Sequence, residues 1–228
     1  DLCLRAARAL QAQSGVSLGA DITIDKQVPS GAGMGGGSSD AATVLLALNR
    51  IWALNWPRER LLPIAARLGA DVPFFVFGRN ALVQGIGERL STLELPPQSY
   101  AVVKPSASIA TRDIFESPLL GRDTPTAIIE GSLDSTALAG LTSGFGRNDL
   151  QPPAQSRSAE VAQAARWLEQ RFGNSRMTGS GSAVFSRVGT GNLPLATWPA
   201  EDASALPPGW VGRLCRSLPR HPLWGWAD

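Results

Sequence analysis

The residues most able to do chemistry sit in one short stretch, Pro29-Ser-Gly-Ala-Gly-Met-Gly-Gly-Gly-Ser-Ser-Asp-Ala-Ala42, which places five glycines within seven positions. Glycine permits positive φ and a close approach of backbone to ligand, and successive N–H groups ahead of a helix offer partial positive charge to an anion. The segment therefore suits a di- or triphosphate. A flexible linker or tight turn is the competing reading of glycine density alone. No Gly-Lys-Ser/Thr follows the glycines, so this is not a Walker A loop. The spacing also fits a dinucleotide-binding turn poorly.

The elements around the stretch must position it. Leu2, Cys3, Ala6, Ala9 and Leu10 share one side of a 3.6-residue repeat, which predicts an amphipathic helix over residues 1–13. Ala20 to Asp25 alternates as a strand would. Beyond the glycines, Ala41, Val44, Leu45, Leu48 and Trp52 recur at helical spacing, with Ser38 or Ser39 available as N-cap. The order strand, loop, helix favours an anion cradle over a linker. A second helix is predicted over 57–68, with Pro57 in its first turn, Gly69 at its end and Pro63 as a source of a kink or a delayed start.

Short apolar runs at Ala81–Leu90 and Tyr100–Ile109 read as strands and turns, and Leu95-Pro-Pro-Gln-Ser99 between them as a junction. Val161, Ala165, Leu168 and Phe172 mark a helix closed by Gly173, and Ala183 to Val188 reads as a strand. Residues 119–157 and 189–210 are rich in Gly, Pro, Ser and Thr and read as loops with short elements. Strands and helices that do not strictly alternate indicate an α+β fold. The division expected is 1–97 and 98–228.

Composition narrows the class. The 228 residues carry 21 basic and 19 acidic side chains without a basic block, which counts against a dedicated nucleic-acid binder. Cys3 and Cys215 are the only cysteines and His221 the only histidine, so neither a disulfide framework, a multi-histidine metal site nor a histidine-dependent triad is indicated. A reducing cytoplasm is the default compartment. No run of about 18 apolar residues suggests a membrane span, and the start lacks a signal-peptide pattern.

The glycine segment resembles the phosphate loop of the GHMP kinases, the superfamily of galactokinase, homoserine kinase and mevalonate kinase. Its triple glycine followed by Ser-Ser-Asp-Ala-Ala is similar to the branch that phosphorylates a cytidine diphosphate-linked methylerythritol in isoprenoid synthesis. Further segments match in order: Lys26-Gln-Val-Pro29, Gly69-Ala-Asp-Val-Pro-Phe-Phe75, Gly85-Ile-Gly-Glu88, Met177-Thr-Gly-Ser-Gly-Ser-Ala-Val-Phe185 and His221-Pro-Leu223.

The resemblance implies a two-domain fold, with a ribosomal protein S5 domain 2-like first domain lacking its first strands and a ferredoxin-like second domain. It implies ATP and Mg2+ as cofactors, with no metal ligand set assigned to the protein. ATP contacts would come from Lys26, Pro29, Ser30, Gly31, Ala32, Gly33, Met34, Gly35, Gly36, Gly37, Ser38 and Ser39. Lys26 would lie near the adenosine, although a solvated strand-edge lysine is the plain alternative.

Asp71 would be the base that accepts the proton of the substrate hydroxyl. It follows a helix-ending glycine and precedes an apolar run, so partial desolvation is expected; a turn-capping aspartate is the alternative. Thr111, Phe115, Gly179 and Ser180 would touch substrate, Phe115 by stacking on cytosine, against a core role for that ring. Asp40 would turn toward magnesium, substrate or solvent. The partner expected is the small molecule, without nucleic acid or membrane, for a monomer or weak homodimer.

Other GHMP kinases, a nucleotide binder without catalysis and an RNA-binding module are the competing functions. The chain begins at Asp1 without methionine, and full-length members of the family carry a preceding stretch with a lysine and an aromatic-histidine pair. The expectation is an exposed sheet edge and poor activity for the 228 residues alone.

Overall fold

The computed structural model describes residues 1–124, 146–190 and 206–227. The chain divides into two compact units, one formed by Asp1–Gln27, Gly35–Glu94 and Leu218–Asp228, the other by Val28–Met34 and Leu95–Ser217.

The first unit is built from helices α1 (Leu2–Ser14), α2 (Gly36–Ile51), α3 (Arg58–Leu68) and α4 (Val72–Phe77), a hairpin of β1 (Ala81–Gln84) and β2 (Arg89–Thr92), and a 3-10 turn at Trp224–Trp226. Asp1 caps α1 by accepting from the N–H groups of Cys3 at 2.8 Å and Leu4 at 3.2 Å, and Gly15 ends the helix in the left-handed region at φ 74°. Helical spacing then turns Leu10, Leu45, Leu46, Leu61, Ile64, Val72 and Val76 into one shared core.

Asn49, fully buried on α2, closes this core with polar bonds. Its Oδ1 accepts from Trp56 N–H at 2.9 Å, and its Nδ2 donates to the carbonyls of Trp56 at 3.1 Å and Trp226 at 3.4 Å. One amide thus ties α2 both to the entrance of α3 and to the chain's last turn.

The second unit centres on an antiparallel sheet in the order β4-β5-β3-β6, with β3 (Gln98–Lys104), β4 (Arg176–Met177), β5 (Val184–Thr190) and β6 (Val211–Arg216). In the central strand Val103 pairs with Val184 on one side and Gly212 on the other. Ala101 and Val103 pack with Val161, Ala164 and Leu168 of α7 (Ala159–Phe172), and with Ile114 of α5 (Thr111–Phe115) and Ala154 of α6 (Gln151–Arg157).

Several expectations change. Ala20–Asp25 forms no strand: no neighbouring strand supplies ladder bonds there among the described residues, and Ile22 and Ile24 stay exposed. Helix α2 begins at Gly36 with Gly35 as N-cap, so Ser38 and Ser39 lie inside the first turn and do not cap it. The apolar Val-Pro-Phe-Phe run is the helix α4, because Pro73 at its start needs no N–H partner there.

Pro63 sits within a continuous α3 on its exposed side. The run Tyr100–Ile109 is strand only as far as Lys104, and Gln151–Arg157 is helical within the stretch read as loop. The remaining loop readings at 125–145 and 191–205 lie outside the described residues.

Replacing Asn49 by Ala strands both the N–H and the C=O of buried Trp56. Urea unfolding followed by tryptophan fluorescence is expected to show a loss of about 2–3 kcal/mol; a change within measurement error would remove the amide from its bridging role.

Candidate active site

The glycine segment is shared between the two units, and each half is fixed by different means. In the second unit, Ser182 N–H donates to the Gly31 carbonyl at 3.1 Å and Ala183 N–H donates to the Ala32 carbonyl at 3.1 Å. The Thr178 hydroxyl donates to the Gly33 carbonyl at 2.9 Å. Residues 31–33 therefore lie along the turn 178–183 as a hydrogen-bonded pair of backbones.

Gly33 sits at φ 69°, and a Cβ there would overlap the Thr178 carbonyl oxygen and stand 2.6 Å from Gly181 N. Gly179 is closed in the same way by Gly33, whose carbonyl oxygen would lie 2.6 Å from a Cβ. Only two bare backbones fit. Pro29 and Ser30 are exposed ahead of this contact, while Ala32 is buried within it and Met34 is half-buried.

The same turn gathers the other expected residues of this unit. Thr111 Oγ1 and Ser180 Oγ lie 2.9 Å apart in a hydrogen bond. Phe115 is 50% exposed while its neighbour Ile114 fills the core, so the core reading of that ring is wrong.

Asn148, which the sequence reading passed over, donates through Nδ2 to the carbonyls of Met177 and Gly179, each at 2.8 Å. Its Oδ1 accepts from Leu150 N–H at 3.0 Å. The Asn-Asp pair at 148–149, two residues beyond Gly146, was the one weak signal, since such residues bond nearby backbone.

In the first unit, Gly35 enters α2 at φ 67°, and no side chain caps the helix. The leading N–H groups of a 16-residue helix are thus left without a side-chain acceptor. A Cβ at Gly35 would stand 2.9 Å from the Phe75 ring, so the start of α2 is packed against α4. Gly36 and Gly37 bring no side chain over those amides, and Ser38 and Ser39 make no side-chain hydrogen bond among the described residues.

Asp71 stands immediately before α4. It is exposed rather than partly desolvated, because Val72 and Pro73 turn into the core and leave the carboxylate outside. It makes no cap bond to the helix, which removes the turn-capping alternative. The Gly85-Ile-Gly-Glu88 turn comes up beside it: a Cβ at Gly87 would overlap the Ala70 carbonyl oxygen. Glu88 is held in that turn by the Ile86 N–H at 2.8 Å, and backbone hydrogen bonds lower its pKa.

Lys26 Nζ pairs with the Asp40 carboxylate on the second turn of α2. The lysine is neither a strand-edge residue nor unpartnered, and Asp40 is committed to it. His221 accepts from Leu223 N–H through Nδ1 at 3.1 Å, and burial, then the Arg58 charge, holds its pKa below the usual imidazole value. It braces the chain's last turn. Among the described residues no group of three His, Cys, Asp or Glu side chains is arranged to hold a metal ion, and no helix is long and apolar enough to cross a membrane.

The chemistry available is therefore anion binding by uncapped amides, with a carboxylate free to accept a proton in the same unit as α2. Residues 1–79 match the GHMP kinases N terminal domain.

The 4-diphosphocytidyl-2-C-methyl-D-erythritol kinase of Methylibium petroleiphilum is 59% identical over 227 residues, covering 100% of this chain and 76% of that protein. The enzyme of the same name from Variovorax paradoxus is 51% identical over 236 residues, covering 100% and 78%. A crystal structure of 4-(cytidine 5'-diphospho)-2C-methyl-D-erythritol kinase superposes with a TM-score of 0.71 at 32% identity, covering 95% of this chain and 76% of that one.

Homoserine kinase from Cytophaga hutchinsonii shares the fold, with a TM-score of 0.64 at 17% identity over 97% of this chain and 76% of its own. With identity this high over its whole length, the chain belongs to the 4-diphosphocytidyl-2-C-methyl-D-erythritol kinase family of GHMP kinases.

Proposed function

We propose that the chain transfers the γ-phosphoryl group of ATP to the 2-hydroxyl of 4-diphosphocytidyl-2-C-methyl-D-erythritol, a step of the non-mevalonate isoprenoid route. One observation carries the reading: within a single unit, α2 begins with amides that no side chain caps and α4 begins beside Asp71, which has no side-chain partner among the described residues, with Gly35 packed on Phe75 between them. A helix start of the first kind binds phosphate, and a carboxylate of the second kind takes a proton.

The roles follow. The backbone of Ser30 to Gly37 surrounds the phosphates of ATP, and the N–H groups of the first α2 turn take up charge that builds on the transferred group. Asp71 receives the proton of the 2-hydroxyl as its oxygen bonds to the γ-phosphorus and the bond to ADP breaks. Lys26, braced by Asp40, borders the adenosine. Thr111 and Ser180, already hydrogen-bonded to each other, meet the substrate, and the exposed Phe115 ring offers a face to cytosine.

Magnesium would neutralise phosphate charge when bound with ATP, and the hydroxyls of Ser38 and Ser39 are oxygen donors of the kind it accepts. With no carboxylate cluster among the described residues, the nucleotide and water would supply most of its ligands. We take the protein to work in the cytoplasm as a monomer or weak homodimer, on a small molecule and without nucleic acid.

ATP consumption measured over a panel of alcohols tests the assignment. Turnover, slow for the 228 residues alone and faster once the preceding stretch is restored, is expected with the cytidylated methylerythritol and not with homoserine or mevalonate; preference for a non-cytidylated alcohol, or ATP binding without turnover even after that restoration, would overturn it. Gly33→Ala forces the two backbones apart and should lower kcat/KM for ATP by about 10²-fold. Steady-state kinetics with a retained thermal midpoint would locate that loss at the site. Asp71→Asn should lower kcat by about 10²–10⁴ with little change in either KM, and a variant as fast as the parent would remove Asp71 from proton transfer.

A further inference from the structure

Lys104 ends β3 and is 8% exposed. Its Nζ donates to the carbonyls of Pro105 at 2.7 Å and Ala107 at 2.8 Å. Among the described residues no carboxylate lies within ion-pairing distance of it. A buried ammonium bonded to carbonyls without an ion pair among the described residues is an expensive group to keep, and an unbranched apolar side chain fills most of the same space without that cost. Fold stability alone does not account for it.

What the ammonium holds is the segment 105–108, and that segment contacts both the glycine segment and the turn 178–183. The Ala107 carbonyl bonded by Lys104 also accepts the Ser182 hydroxyl at 2.5 Å, and Ser182 N–H bonds the Gly31 carbonyl. From the other side, Ala107 N–H and the Ser106 hydroxyl donate to Glu160 Oε2 at 3.0 and 2.8 Å. Ser108 packs on Gly31, where a Cβ would stand 2.5 Å from its Oγ. Three residues further on is Thr111, bonded to Ser180. Desolvation lowers the Lys104 pKa, and the Glu160 charge opposes that shift.

We propose that Lys104 is a positioning residue, whose buried ammonium fixes the 105–108 segment and through it sets the glycine segment and the Thr111 end in register. The inference rests on the reading of residues 30–37 as the ATP cradle, but its first consequence is local and independent of ligand.

Lys104→Met keeps most of the length of the side chain and removes the donors. Three measurements on the 228-residue chain decide the matter: the thermal midpoint, hydrogen exchange at the amides of Ser182 and Ala183, and the Kd for MgATP by titration calorimetry. The expected result is a midpoint unchanged or raised, exchange at both amides faster by about tenfold, and a Kd weaker by about tenfold. Lys104→Gln, which retains two N–H donors, should recover most of both losses.

A lowered midpoint with unchanged Kd and exchange, or loss of folding by the Met variant with no recovery in the Gln variant, would make Lys104 a stabilising residue and overturn the proposal. Faster exchange in the Met variant, together with a parent chain that does not bind MgATP, would instead uphold the local linkage and overturn the ATP reading.

Discussion

The site depends on one contact with no tolerance in it, the approach of residues 31–33 to the turn 178–183. Gly33 and Gly179 face each other with no room for a Cβ on either, and the amides of Ser182 and Ala183 bond the carbonyls of Gly31 and Ala32. Such a contact is specific because it fails completely if either backbone moves: the hydrogen bonds and the glycine fit are lost together. It also explains why the turn contains its own glycines and why Asn148 is spent on holding the Met177 and Gly179 carbonyls. The turn must be rigid before it can fix anything else.

From that anchor the chain passes at Met34 into Gly35 and directly into α2. Within the first unit, Gly35 fits against Phe75 for the same steric reason that Gly33 fits against Thr178 in the second. A side-chain cap on α2 would satisfy the first amides and compete with a phosphate for them. With Gly35 in the capping position that competition would not arise, at a stability cost of roughly a few tenths of a kcal/mol relative to a serine or aspartate cap. Asp71 follows the same logic. Its carboxylate neither caps α4 nor sinks into the core, so it remains free to receive a proton.

Charged and polar groups elsewhere are committed to structure. Lys26 and Asp40 pair with each other, His221 braces the last turn, and Asn49 links α2 to Trp56 and Trp226. The contrast separates groups that complete the fold from those left open. Lys104 stands apart, buried without an ion pair among the described residues yet bonded to the 105–108 segment of the second unit.

The sequence by itself determined the family and most of the helices. The glycine run, the Gly-Ala-Asp-Val-Pro segment and the Thr-Gly-Ser-Gly-Ser turn are local patterns, and helical periodicity in α1, α2, α3 and α7 is a local property of the chain. Tertiary structure alone decided which patterns meet. Ala20–Asp25 alternates like a strand yet forms none, because a strand exists only with a partner's hydrogen bonds.

Ser38 and Ser39 are good cap residues placed too late, once Gly35 could reach the left-handed region and begin the helix sooner. Asp71 was expected to be partly desolvated and Phe115 to compete for the core, but burial depends on which neighbours turn inward, and Val72 and Ile114 did. Asn148 and Lys104 gave little sign because their partners are backbone carbonyls, and a carbonyl looks the same in every residue of a sequence.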